Sequence, residues 1–186
     1  MNYPKLAFTE KIKKLQEKYG SRRGYERMEQ VVDVEGLGSR EREFIGRRDS
    51  FYMASTGQNG YPYVQHRGGP KGFVKVLDDR TLGVLDFRGN KQYISVGNIE
   101  QNNKVSLIMV DYPMRARLKL FARAEVVELN DDPELLSRLD LGDYDHKPER
   151  IFLYHIDAYD WNCPQHITPR FTVEEIQSVF NNGSEK

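Results

Sequence analysis

The segment Arg117–Val127 alternates between two kinds of side chain, and this pattern restricts the fold more than any other stretch of the chain. One set of positions is apolar and the set between them is mostly charged: Leu118, Leu120, Ala122, Ala124 and Val126 against Arg117, Lys119, Phe121, Arg123 and Glu125. Side chains of a β-strand point to opposite faces in turn, so the segment is predicted to be a strand with one apolar and one cationic face. Such a strand suits a barrel wall whose other side meets a ligand or a partner, and a half-solvated strand explains the pattern equally well.

Further strands are predicted on both sides of this segment, most of them joined by short hairpins. The sequence Gly57-Gln58-Asn59-Gly60 is a turn signal, because Asn-Gly tolerates the positive φ of tight turns. The chain has about six such strands, with one helix near residues 92–101 between them and helices at both ends. This order favours a mainly β fold with peripheral helices, an antiparallel barrel, over a parallel doubly wound sheet.

The two ends of the chain differ from this strand-rich middle. Apolar residues recur at helical spacing before Gly20: Phe8, Ile12, Leu15 and Tyr19. Residues 20–38 are rich in Gly, Arg and Glu and are expected to be an arm or loop, so residues 1–38 are predicted to be an N-terminal helix and arm. Residues 39–186 are expected to form the barrel domain with a C-terminal helix. Thr172 and Glu175 make a capping box for that helix, whose apolar face is Val173, Ile176 and Phe180.

Composition excludes several classes of function. The 28 basic residues are balanced by 28 acidic residues, so no global field attracts the chain to nucleic acid or to an anionic membrane. The lone cysteine, Cys163, rules out an internal disulfide and fits a reducing compartment. No stretch approaches the length of a membrane span, and the histidines do not fall at zinc-ligand spacing, so no metal is expected. We therefore expect a soluble protein of the cytoplasm.

Two stretches carry donors suited to an anion, and the first is His66–Lys75. Arg67 offers a planar fork of donors that matches phosphate oxygens. Two adjacent glycines follow it, which allow a backbone to approach a flat ligand closely, and Lys75 lies further along the next strand. The alternative is a long hairpin loop with solvated cations.

The second stretch, Asp86–Gln92, lies where a strand ends and a helix begins. Backbone N–H groups at a helix start are unpaired and carry partial positive charge, so such a corner is a natural anion pocket. Side-chain donors at the same corner are Arg88, Asn90, Lys91 and Gln92. The alternative is that Asn90 only caps the helix. An anion site requires that this corner and Arg67 converge in space.

Together these pieces resemble the pyridoxamine 5'-phosphate oxidase-like family of FMN-binding split barrels. The resemblance covers about residues 40–160, and its motifs are GYPYV at 60–64 leading to Arg67, Lys75, DFRGNKQ at 86–92, NNKVSL at 102–107 and RLKLFARA at 117–124. It implies an antiparallel split β-barrel that forms a homodimer, with two FMN molecules in clefts between the subunits.

The resemblance also implies roles for individual residues. The ribityl phosphate and the nearby flavin edge would be held by Arg67, Lys75, Asn90, Lys91 and Gln92, with Arg88 as a helper. Arg117 or Lys119 would approach the flavin from the other subunit. In the oxidases a tryptophan after the last strand lies beside the flavin, followed by arginine and histidine that hold substrate. Trp161, His166 and Arg170 echo that order with a different spacing, which leaves the substrate and any catalytic residue unassigned.

The function predicted from these features is an FMN-dependent oxidoreductase. It would act on a small molecule or on a reduced nicotinamide, with the flavin supplying the redox chemistry. One alternative is a non-catalytic flavin carrier or sensor. Another is a relative that holds haem or a deazaflavin in the same barrel, with His66 and His155 as candidate haem ligands. A nucleic-acid-binding barrel is disfavoured by the zero net charge.

Overall fold

The computed structural model describes residues 1–31 and 33–177 of the chain. Its helices are α1 (Tyr3–Ala7), α2 (Glu10–Lys18), α3 (Arg22–Val31), α4 (Ser39–Gly46), α5 (Ile94–Gln101) and α6 (Pro133–Arg138). Its strands are β1 (Ser50–Thr56), β2 (Pro62–Gly68), β3 (Lys75–Val76), β4 (Thr81–Phe87), β5 (Lys104–Asp111), β6 (Ala116–Glu128) and β7 (Pro148–Asn162).

The seven strands form one antiparallel sheet in the order β2-β1-β5-β6-β7-β4-β3. The sheet curls until β2, at one edge, faces β4, near the other. No backbone pairing joins β2 to β4 in the described residues; instead, Arg67 Nη1 donates to Asp86 Oδ1 across the gap at 2.5 Å. We call this gap the seam. The antiparallel barrel expected from the sequence is confirmed, and it is open along one line.

The interior of the barrel follows the alternation read from the sequence. On β6 the residues Leu118, Leu120, Ala122 and Ala124 are buried. They pack with side chains of the neighbouring strands that are fully enclosed, including Phe51, Met53, Phe152 and Tyr154. At about 25 cal/mol per Å² of apolar surface removed from water, this burial is the main stabilising term of the fold.

The opposite face of β6 meets the chain's own first helix. The Tyr3 ring stacks on Phe121 with 4.8 Å between ring centroids, and Lys119 Nζ lies 4.9 Å from the centroid of the same Tyr3 ring. Lys119 also pairs with Asp160 at 3.2 Å. The cationic face is therefore partly covered by α1, which sequence patterning did not predict.

The expected loop at residues 20–38 contains a ten-residue helix, α3. Gly24 lies inside it, but a single interior glycine costs only about 1 kcal/mol. The Arg22 side chain bonds to both carboxylate oxygens of Glu29, at 2.9 and 2.8 Å, two turns along the same helix face. Reading the glycines as a loop was wrong because these side-chain pairs and the packing against α1 and α2 outweigh propensity.

Helix α5 crosses from the barrel rim to the start of β5. Asn98 Nδ2 donates to Ser55 Oγ at 3.1 Å, and Ile99 is buried, so the helix is fixed against β1. Tyr93 stands at the N-cap position of this helix in the left-handed region, with φ 53°.

The capping box near the C-terminus is confirmed. Thr172 N donates to Glu175 Oε2 at 2.9 Å, and Glu175 N donates to Thr172 Oγ1 at 3.2 Å; residues 173–177 are helical. Val173 and Ile176 are exposed rather than packed, and Phe180 lies outside the described residues. Within the described ranges, no helix is both long and apolar enough to cross a membrane.

Candidate functional site

A hollow opens at one end of the seam, between β2, the end of β4, the start of α5 and β7. It holds ≈ 410 Å³ of empty space, including its open mouth. From the two stretches singled out in the sequence, its wall includes Arg67, Asp86, Asn90, Lys91 and Gln92. Further wall residues are Gln65, Tyr93, Ser95, Glu149 and Arg150. The convergence required of Arg67 and the Asn90 corner is therefore present. We call this space the seam hollow.

Arg67 lies at the bottom of the seam hollow and is held tightly. Its Nη1 pairs with Asp86, and its Nη2 donates to Gln65 Oε1 at 3.1 Å. The guanidinium carbon lies 4.4 Å from the ring centroid of Phe152 in the core, and only 10% of the side chain is exposed. Its Nε is buried with no hydrogen-bond partner among the described residues. We call Gln65, Arg67 and Asp86 the seam floor.

The seam floor is tied to the first turn of α5. Gln65 Oε1 accepts a second hydrogen bond, from Ser95 Oγ at 2.5 Å, and Ser95 is buried. The first intrahelical bond recorded for α5 runs from Gly97 N to Tyr93 O. The amides of Ile94, Ser95 and Val96 come before it and, by their position, lack intrahelical acceptors. Since all three residues border the seam hollow, the positive end of the helix dipole faces this space.

Residues 88–93, the corner loop, form the outer rim. Lys91 and Tyr93 both have left-handed φ values, 59° and 53°, a conformation that costs a residue with a side chain about 1 kcal/mol or more. Asn90 Oδ1 accepts from Gln92 N at 3.2 Å. Asn90 therefore makes a local Asx turn before the helix rather than its N-cap. The side chains of residues 88–93 are exposed.

Arg150 is a wall residue that sequence reasoning missed. It stands on β7 directly opposite Asp86 in the strand register, and its side chain is 13% exposed. Its guanidinium carbon lies 4.9 Å from the ring centroid of Tyr93. Arg150 is separated from the corner loop by more than 50 residues, so only strand pairing brings them together. Only the register of β7 against β4 would have indicated that Arg150 lies at the site, and a single sequence does not give that register.

The charges around the seam hollow leave a small positive excess. Arg67, Lys91 and Arg150 face Asp86 and Glu149, which gives a net charge of +1 from three cations and two carboxylates. Adding the helix dipole, the site suits an anion of modest size. No group of His, Cys, Asp and Glu in the described part of the chain is arranged to hold a metal ion.

Two of the predicted phosphate residues lie outside the wall of this hollow. Lys75 stands on β3, opposite Gly83, and does not line the space. The Arg88 side chain is exposed, and its backbone amide donates to Lys147 O at 2.8 Å. The glycines after Arg67 serve packing: a Cβ at Gly69 would lie 2.8 Å from Phe73 atoms.

Arg117, Lys119 and Trp161 lie on other parts of the protomer. Trp161 Nε1 donates to the buried Glu41 Oε1 at 2.7 Å, and its ring lines a different cavity, between α4 and β7. Arg117 Nη2 donates to Cys163 O at 2.8 Å. Lys119 lies against Tyr3. These three residues are not brought to the seam hollow within one chain.

The candidate substrate residues lie beyond the end of β7. His166 is exposed with φ 63°. The Arg170 guanidinium carbon is 4.9 Å from the Tyr112 ring centroid. Of the histidines considered for haem, His66 is exposed on β2, and His155 Nε2 lies 2.8 Å from Glu125 Oε2 on the outer surface. Neither histidine lines the seam hollow.

Comparison with known proteins places this geometry in a family. A family model described as pyridoxamine 5'-phosphate oxidase matches residues 37–153, more than half of the chain. The chain belongs to the pyridoxamine 5'-phosphate oxidase family. The match begins just before α4 and ends within β7, so the FMN-binding split-barrel resemblance is confirmed over the segment that builds the seam and its hollow. No curated protein sequence gives a significant match.

Two solved structures share the fold. HupZ from Group A Streptococcus superposes with a TM-score of 0.55 at 16% identity, over 73% of this chain and 99% of that one. A putative pyridoxamine 5'-phosphate oxidase from Lactobacillus delbrueckii gives a TM-score of 0.53 at 22% identity, over 69% of this chain and 97% of that one. The TM-scores support a common architecture, the antiparallel split barrel. At identities this low, the likeness extends to the fold alone.

Proposed function

We propose that the protein binds FMN with the ribityl phosphate in the seam hollow. The observation that carries this proposal is the meeting of Arg67 with residues 90–92 at one cationic space beside the first turn of α5. Membership of an FMN-binding family supports it. In this arrangement Asn90, Lys91 and Gln92 close over the phosphate from the corner loop, while Arg67 supplies positive charge from the seam floor.

The residues present fit a phosphate group on two observations. The buried Nε of Arg67 has no protein acceptor among the described residues, and an unsatisfied donor of this kind costs about 1–3 kcal/mol unless a ligand or water accepts from it. The three leading residues of α5, whose amides lack intrahelical acceptors by their position, border the same space. Both features are donors without acceptors, which is what a phosphate requires.

We further propose that the protein is an FMN-dependent oxidoreductase acting on a small molecule or a reduced nicotinamide. Bound flavin supplies hydride transfer, and the chain supplies binding, orientation and electrostatics. Five residues of the predicted site lie outside the hollow of one protomer, and we propose that they reach the flavin from the second subunit or at the far edge of the flavin: Lys75, Arg88, Arg117, Lys119 and Trp161. His166 and Arg170 are proposed to meet the substrate. The lone exposed cysteine is consistent with a cytoplasmic location.

A homodimer is part of this proposal. The outer face of β1, β2 and β5 exposes apolar side chains next to one another, with Tyr52 41% and Val64 60% exposed. Large apolar side chains that are contiguous on a sheet face are typical of protein interfaces. We expect Val64→Glu to convert a dimer to a monomer in light-scattering chromatography, because it buries a charge in the interface. Val31→Glu, at an exposed α3 site, is the matched control.

A flavin carrier or sensor without turnover is the second candidate. It is favoured by the position of His166 and Arg170, neither of which lines the seam hollow. Steady-state oxidation of a reduced nicotinamide separates the two candidates, since a carrier gives no rate above that of free FMN.

Titration with FMN tests the main proposal. Purified protein should quench FMN fluorescence with a saturable, stoichiometric curve and should bind FMN more tightly than riboflavin, which lacks the phosphate. Folded protein that leaves both fluorescence curves unchanged would contradict the proposal.

A further inference from the structure

We propose that Arg150 presents the fork of donors that grips the phosphate, while Arg67, fixed by its protein partners, contributes positive charge from the seam floor. This inference rests on the proposed function, since it names the residue that makes its central contact. It follows from how differently the two guanidinium groups are engaged within the same hollow.

Arg67 is fixed in place by its protein partners. Both terminal nitrogens are engaged, Nη1 with Asp86 at 2.5 Å and Nη2 with Gln65 at 3.1 Å. The plane of the group lies over Phe152, so it cannot turn without breaking both bonds. What it supplies to the hollow is a fixed positive charge, because a guanidinium held by two bonds cannot turn its remaining N–H groups towards a ligand.

Arg150 is held loosely by comparison. Its Nη1 lies 3.6 Å from Asp86 Oδ2, which is beyond hydrogen-bond range, and its Nη2 lies 3.3 Å from Glu149 Oε2. A guanidinium has five N–H donors in a planar fork, and these two long contacts leave the fork available to a better acceptor. Phosphate oxygens match that fork in a bidentate geometry.

The position of Arg150 also suits this role. Its guanidinium lies on the ring of Tyr93, the residue that begins α5, so the fork is held beside the first turn of the helix. The side chain is 13% exposed, which shields its charge from bulk solvent and strengthens its attraction for an anion. Asp86 stands between Arg67 and Arg150, so it balances only one of the two positive charges.

The roles divide accordingly. Asp86 holds Arg67 in the seam floor. Because Asp86 is paired with Arg67, its contact with Arg150 stays long, at 3.6 Å. An incoming phosphate takes the Arg150 fork in place of Glu149. The same hollow then discriminates between phosphorylated and dephosphorylated flavin, because riboflavin has no group for that fork to hold.

The test compares FMN with riboflavin on three variants. Arg150→Ala should weaken FMN binding on the order of 10- to 100-fold and leave riboflavin binding unchanged. Arg150→Lys keeps the charge and loses the fork, so its FMN affinity should lie between those of the wild type and Arg150→Ala. Arg138→Ala removes an exposed arginine that donates to Leu77 O, away from the hollow, and should match the wild type.

Each outcome of this test either supports or overturns the role of Arg150. If the wild type binds FMN and Arg150→Ala binds it equally well, this inference is overturned while the proposed function stands. If the wild type binds no FMN, both are overturned. If Arg150→Ala does not fold, Arg150→Lys takes its place, and an undiminished preference for FMN over riboflavin in that variant overturns the role of the fork.

Discussion

The seam floor and the corner loop border the same hollow but are built in opposite ways. The floor is buried, paired and continuous with the barrel core through Phe152. The corner loop is exposed, and two of its residues hold left-handed backbone angles. The buried pairs of the floor contribute to the stability of the barrel, whereas the exposed side chains of the corner loop can be changed with little effect on that stability.

Arg67→Ala breaks the floor and has the largest expected effect. It leaves Asp86, 15% exposed, with only the long contact to Arg150. Breaking a buried pair in this way should cost about 3–5 kcal/mol of the free energy of unfolding and lower the thermal midpoint of the apo-protein by roughly 6–20 °C. Urea and thermal unfolding of the apo-protein measure it. A midpoint within a degree of the wild type would show that Arg67 is a free ligand-binding side chain.

Tyr154→Phe tests whether water is excluded from the core next to the seam floor. Burial raises the pKa of Tyr154 to about 12, with a smaller lowering effect from Arg67 and a raising one from Asp86. Because the folded pKa lies above the unfolded value of 10.0, the stabilising contribution is complete below pH 10 and is lost as the pH rises towards 12. At pH 11 the wild type should have lost about 1.4 kcal/mol that Tyr154→Phe retains.

The measurement is urea unfolding of both proteins at pH 8 and pH 11. Near neutral pH the two should differ little, since the hydroxyl makes only a 3.4 Å contact with Met53 Sδ. An equal loss of stability in both proteins at pH 11 would mean that water reaches Tyr154 and that the floor is not sealed.

Lys91→Ala acts on the rim and should leave the barrel intact. Removing an exposed cation beside the phosphate should weaken FMN binding roughly 5- to 10-fold, leave riboflavin binding unchanged and change the apo stability by less than about 0.5 kcal/mol. Fluorescence titration and thermal unfolding give the two numbers. A large loss of apo stability would place Lys91 with the floor.

Lys91→Gly sharpens the same comparison with the smallest effect. It removes the same charge as Lys91→Ala but suits the φ of 59° at this position. The glycine variant should be about 1 kcal/mol more stable than the alanine variant. Its FMN affinity should match that of Lys91→Ala, because the charge alone is lost. Equal stabilities would argue against backbone strain in the corner loop.

The sequence predicted the barrel because its signals are local. The alternation on β6 and the turn at Gly57–Gly60 depend on neighbours in the chain, and the structure bears out both: Gly60 N donates to Gly57 O at 3.0 Å. The same local reasoning predicted an anion corner after β4. It failed at α3, where side-chain pairs two turns apart outweigh the glycines.

The site could be predicted only in part, because its second half depends on register. Arg67 and the corner loop are recognisable as donors in the sequence. The pairing of Asp86 with Arg67 crosses an unpaired seam, and the place of Arg150 depends on which residue of β7 lies opposite Asp86. The same sequence reasoning treated Arg67 as a free phosphate ligand, since nothing local reveals that its terminal nitrogens are occupied.

The register of β4 against β7 contains an irregularity. Asp86 lies opposite Arg150, but the next residue, Phe87, lies opposite Pro148, so Glu149 is an extra residue on β7. At such a bulge the side chains of two successive residues turn towards the same side, and both Glu149 and Arg150 face the hollow. Deleting Glu149 would restore an even ladder and remove its carboxylate from the hollow, which leaves the Arg150 cation there without this neighbour. The length of β7, as much as its composition, sets the charge that a ligand meets.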